Sequence, residues 1–89
     1  MSTEERVLEW VRDHLAQALG VTPESVSVDK GLSSYGLDSV DAVLMAGELE
    51  EAFGVEIEPA RFIACDSLGE IIKTTASDID KAGERRVSS

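Results

Sequence analysis

Basic residues are scarce in this chain of 89 residues: 8 Lys and Arg stand against 18 Asp and Glu, a net charge of −10. Such a surface repels the phosphates of nucleic acids and anionic bilayers, so neither is an expected partner, and a basic protein surface is. A single cysteine, Cys65, closes no internal disulfide, and with one histidine, His14, it builds no structural zinc site. The aromatics are only Trp10, Tyr35, Phe53 and Phe62, too few to form a stacking platform for bases. No run approaches the ~18 apolar residues of a membrane span, and Met1 to Glu5 lacks the basic-then-apolar order of a secretory leader. A cytoplasmic setting is the expectation. With 43% hydrophobic residues the chain has enough for one small core, not for two.

What is present has helical periodicity. Ser2 and Glu5 form a capping-box pattern, after which Val7, Leu8, Val11, Leu15, Ala18 and Leu19 recur at helical spacing until Gly20. Trp10 and His14 lie one turn apart at the edge of that stripe. Thr22-Pro23-Glu24 can start a turn, but nothing sustains it, and the chain is expected to loop as far as Leu37. Val26, Val28, Leu32 and Leu37 are the anchors of that loop, and Gly31 and Gly36 its bends.

A second helix is expected from Asp38-Ser39 to Phe53, with Asp38 capping, Asp41 answering it and Gly54 ending the run. A short third helix follows Pro59, from Ala60 to Ile63. A fourth opens on a Ser67 and Glu70 capping box and carries Leu68, Ile71, Ile72 and Ala76. The expected fold is therefore all-α, a small four-helix bundle of three longer helices and one short one, with a long loop between the first and second. Residues 1–79 form the domain, and 80–89 are expected to be a frayed tail or linker.

On a wheel of about 100° per residue, Ala42, Met45, Ala46, Leu49 and Phe53 supply the core face of the second helix. Val40, Leu44, Gly47 and Glu51 fall on the opposite side, with Val43 on one edge and Asp41 and Glu48 on the other. Scattered exposed hydrophobes mean little. An apolar strip at i, i+4 and i+7 with a carboxylate rim has instead the make-up of a transient docking surface. From Gly31 to Ala60 there is no Lys or Arg, whereas Asp38, Asp41, Glu48, Glu50, Glu51, Glu56 and Glu58 are all acidic.

Catalytic patterns are absent. Leu37-Asp38-Ser39-Val40-Asp41 lacks the glycines of a hydrolase elbow. A calcium loop registered on Asp29 has Ser34 and Val40 where Gly and Glu are required. His14 reads as a packed helix residue and Cys65 as a structural thiol whose nearest basic neighbour in sequence is Arg61. Ser39 remains, a hydroxyl at the mouth of a helix, which is a favourable seat for an anion and equally the place of a plain N-cap.

Gly36-Leu37-Asp38-Ser39-Val40 resembles the G-x-D-S-(L/V/I) signature of acyl carrier proteins. The resemblance extends from Glu4-Glu5-Arg6-Val7, through Glu48-Leu49-Glu50-Glu51-Ala52-Phe53-Gly54-Val55, to Ser67-Leu68-Gly69-Glu70-Ile71. It spans roughly Thr3 to Ala76 and is closer to the carriers of polyketide synthases than to the bacterial fatty-acid carrier. Two departures concern the partners: Asp66-Ser67 stands where many polyketide carriers have Pro-Thr, and Leu44 and Gly47 where fatty-acid carriers often have Glu and Met.

The resemblance implies a covalent 4′-phosphopantetheine arm on Ser39 and a partner-recognition face of Asp38, Val40, Asp41, Leu44, Gly47, Glu48 and Glu51. It implies a non-catalytic, monomeric carrier that is itself a substrate of a phosphopantetheinyl transferase and serves ketosynthases, acyltransferases and other synthase enzymes of polyketide or fatty-acid biosynthesis. It also implies that an acyl chain can tuck between the helices, where Ala42 and Ala46 are small. A peptidyl or aryl carrier, and a cofactor-free acidic interaction module, remain as alternatives.

Overall fold

The start of the first helix is set by one hydroxyl: Ser2 Oγ accepts a hydrogen bond from Glu5 N–H at 3.2 Å. The computed structural model describes residues 2–88, with side chains described for 2–82. Helix α1 runs Thr3–Leu19 and stops at Gly20, as its pattern requires. Val7, Val11, Leu15 and Ala16 are its buried residues, while Ala18 is exposed. The buried face thus turns towards Ala16 at the C-terminal end, away from the side on which spacing alone puts Ala18.

Pro23–Ser25 forms a single 3₁₀ turn, and a second, unforeseen one spans Leu32–Tyr35. Gly36 ends it at φ +74°, where a side chain would be strained. Gly31 plays a different part from the bend expected of it. Its φ of −92° is ordinary; a Cβ there would meet Asp66 O at 2.6 Å, so its role is close approach. The loop is also fastened elsewhere. The Tyr35 hydroxyl accepts from Ser27 N–H at 2.6 Å and donates to Ser27 O at 3.2 Å. Lys30 O and Val28 O accept from Leu68 N–H and Gly69 N–H, each at 2.9 Å.

Helix α2 runs Ser39–Phe53, α3 Pro59–Ala64 and α4 Leu68–Ser88. Pro59 opens α3 at its first turn, where a missing N–H costs nothing. At the head of α4, Ser67 Oγ accepts from Glu70 N–H, while the Glu70 carboxylate turns one residue further back, to Asp66 N–H at 2.8 Å. Helical backbone continues through the stretch expected to fray, as far as Ser88. Ile79 packs against the core and Asp80 accepts from Thr3 Oγ1 at 2.8 Å, so the helix has tertiary support beyond Ala76. Ser89, and the side chains from Gly83 on, lie outside the described residues.

The architecture is the all-α four-helix arrangement read from the sequence, with no strand among the described residues. α1 packs chiefly on α4, and α2 on α3. Between them Val7, Val11, Leu15, Met45, Leu49, Phe62, Leu68 and Ile71 are all but fully buried. Burial of this kind stabilises by roughly 1.5–3 kcal/mol per large aliphatic side chain. Its effect on function is to hold α2 by one face and leave the other to solvent.

Candidate functional site

The mouth of α2 is organised by Asp38. Its Oδ1 accepts from Val40 N–H at 3.0 Å and Asp41 N–H at 3.1 Å, while Asp41 Oδ2 accepts from Asp38 N–H at 3.1 Å, a complete capping box. The hydrogen bond from Asp41 N–H, joined by that from Val40, holds the Asp38 carboxyl below its ordinary value.

Ser39 is therefore not the cap. It is the first helical residue, exposed, and its hydroxyl has no hydrogen-bond partner among the described residues. A serine that capped its helix would have that oxygen engaged. Beside it lies a cleft of about 360 Å³ lined by Leu32 and Leu37 of the loop, Ala42 of α2, Phe62 and Ile63 of α3, and Cys65 just after α3. An accessible hydroxyl at a helix N-terminus, next to a partly apolar cleft, suits attachment of a phosphate ester with a slender chain. Asp38 and Asp41 oppose the phosphate charge in part. Ala42 and Ala46 are both buried, and only Ala42 of the two lines the cleft.

The two faces of α2 separate as the wheel predicts. Ala42, Met45, Ala46 and Leu49 are buried, whereas Val40, Leu44 and Val43 are 63%, 61% and 48% exposed. Asp38, Glu48 and Glu51 are exposed, and Asp41 and Gly47 half-buried, on that side. Glu50 does otherwise: its carboxylate accepts from Ile57 N–H at 2.9 Å and ties down the chain after α2.

Two features escape the sequence reading. Ile63 is 54% exposed at the cleft, and a six-residue helix is too short for periodicity to assign its outer face. His14 stacks on Trp10, ring centroids 4.9 Å apart, and its Nδ1 lies 3.1 Å from Glu48 Oε2. The i, i+4 spacing of the two rings was the available signal for the stack; nothing local signals the contact with α2. Cys65 behaves as a structural thiol, donating to Arg61 O at 3.1 Å, with burial foremost and then Glu70 raising its pKa. Among the described residues no cluster of metal-ligating side chains occurs, and no helix is long and apolar enough to cross a membrane.

The family model described as phosphopantetheine attachment site matches residues 9–74. The chain is 35% identical over 83 residues to polyketide synthase ThaG of Burkholderia thailandensis, covering 93% of this chain and 2% of that protein. It is 37% identical over 62 residues to a phenolphthiocerol/phthiocerol polyketide synthase of Mycobacterium tuberculosis, covering 70% of this chain and 3% of the synthase. To an acyl carrier protein of Campylobacter hominis it is 44% identical over 52 residues, 57% of this chain and 66% of that one. The chain thus spans only a few hundredths of the length of the synthases it matches. It belongs to the phosphopantetheine attachment-site family and is a phosphopantetheine carrier domain. The prosthetic group of that family is 4′-phosphopantetheine, covalently held.

Proposed function

We propose that this chain is an acyl carrier of polyketide or fatty-acid synthesis, with Ser39 as the attachment residue and the outer face of α2 as its docking surface. The observation that carries the reading is that Asp38 caps α2 while the neighbouring Ser39 hydroxyl is exposed and unengaged. A phosphopantetheinyl transferase, using coenzyme A, would form the bond between Ser39 Oγ and phosphorus, the serine proton and the 3′,5′-ADP half of the coenzyme departing. Once attached, the group supplies a terminal thiol able to hold cargo as a thioester.

The chain's own residues position and recognise, and none acts as a catalyst. The capping box fixes the first turn of α2 and so the direction of Ser39. Val40, Leu44 and Gly47 offer the apolar strip, and Asp38, Asp41, Glu48 and Glu51 its acidic rim, to basic surfaces on the transferase, ketosynthases, acyltransferases and kindred enzymes. Each docking is brief, because a carrier that bound tightly could not move to the next enzyme. The protein acts as a cytoplasmic monomer, with residues 1–79 as the carrier body.

Incubation with coenzyme A and a promiscuous phosphopantetheinyl transferase, followed by mass spectrometry, tests the reading. One added arm is expected on the wild type and none on Ser39→Ala. A folded wild-type protein that stays unmodified would leave only an acidic interaction module; loading of an aminoacyl group, not an acyl group, by a cognate enzyme would make it a peptidyl carrier.

A further inference from the structure

The acids of the docking rim differ in how they are held. Asp38 is fixed by the N–H groups of Val40 and Asp41, and Asp41 by that of Asp38. Glu51 has no side-chain partner among the described residues. Glu48, two turns from Asp41, has one, and it comes from another helix: His14 Nδ1 of α1 at 3.1 Å. The His14 ring is itself braced by Trp10, stacked at 4.9 Å with the planes within 8° of parallel. Beside this contact lies a cleft of about 240 Å³ lined by His14 and Leu15 of α1, Asp41, Leu44 and Glu48 of α2, and Leu37 of the loop.

A free glutamate on a helix surface samples many rotamers, and a partner that engages it must bear the cost of ordering it. An imidazole nitrogen held 3.1 Å from the carboxylate by the stacked Trp10 restricts that freedom beforehand.

We propose that His14 is a positioning residue of the docking face, holding Glu48 from α1 so that Asp38, Asp41 and Glu48 meet a basic partner surface as three pre-oriented carboxylates. The recognition surface therefore extends beyond α2 to the Trp10 and His14 pair. This inference rests on the carrier reading above, and its test separates the two.

The full chain is loaded by a phosphopantetheinyl transferase with coenzyme A, and KM and kcat are measured for wild type, His14→Ala, His14→Asn, Glu48→Gln and the His14→Ala/Glu48→Gln double variant. His14→Ala is expected to raise KM by roughly two- to fivefold, the scale of one exposed polar contact, with kcat unchanged. Asn, whose amide nitrogen stands where Nδ1 stood, is expected to recover most of the loss. In the Glu48→Gln background His14→Ala is expected to have little further effect, which a merely structural histidine would not reproduce. Normal loading with KM unchanged or lowered in His14→Ala, or an equal KM rise in both backgrounds, overturns the inference alone. A wild type that takes no arm overturns the carrier reading and this inference with it.

Discussion

Asp38 and Ser39 are neighbours with opposite fates, and the difference is one of hydrogen bonds. The aspartate carboxylate is spent on the N–H groups of Val40 and Asp41, which leaves the serine hydroxyl with nothing to do for the fold. Because those bonds hold the Asp38 carboxyl below its ordinary 3.8, the charged form is favoured in the folded state. The resulting stabilisation is complete above the unfolded-state value and fades as pH falls through the lower folded one. Asp38→Ala is expected to melt at a lower temperature than wild type at pH 7, and thermal scans at successively lower pH are expected to bring the two together below pH 3.8. A gap that persists undiminished at the acid end would show that the cap does not act through its charge. The capping pair was legible from Asp38 and Asp41 three residues apart. The pairing of His14 with Glu48 was not, since a contact across 34 positions depends on how two helices cross.

At the scale of the element, α2 carries both the core and the candidate site, and its two faces could be read from spacing because 15 residues give four turns of pattern. α3 offers six residues, and neither the burial of Phe62 nor the exposure of Ile63 follows from periodicity there. The loop between α1 and α2 hid its second 3₁₀ turn for a related reason: Leu32–Tyr35 is fixed by Tyr35 bonding to Ser27, eight residues earlier. Adjacent glutamates on α2 test the division of labour. Glu51→Lys is expected to slow transferase-catalysed loading with the circular dichroism spectrum and melting temperature unchanged. Glu50→Ala, which leaves Ile57 N–H without its acceptor, is expected to cost about 1–3 kcal/mol in denaturant unfolding and to affect loading little. The reverse pattern would remove Glu51 from the docking face.

For the molecule as a whole, a charge of −10 with no basic residue between Gly31 and Ala60 gives a field centred on α2. Long-range steering of a basic partner follows, and screening opposes it. The kcat/KM for loading is expected to fall steadily between about 0.1 and 1 M salt, over which the Debye length contracts from about 10 to 3 Å. A salt-independent kcat/KM would mean that apolar contact with Val40 and Leu44 governs encounter.

The cleft beside Ser39 has unequal walls. On the loop side, backbone bonds from Leu68 to Lys30 and from Gly69 to Val28, with a glycine seated against Asp66, rivet the chain to the head of α4. On the other side the six-residue α3 is held by its packing on α2 through the buried Phe62 and by an ion pair from the exposed Arg61 to Asp78. A guest wider than that slot is expected to press on the short helix before it disturbs the wall joined to α4, which leaves the bearing of the serine to the capping box of α2.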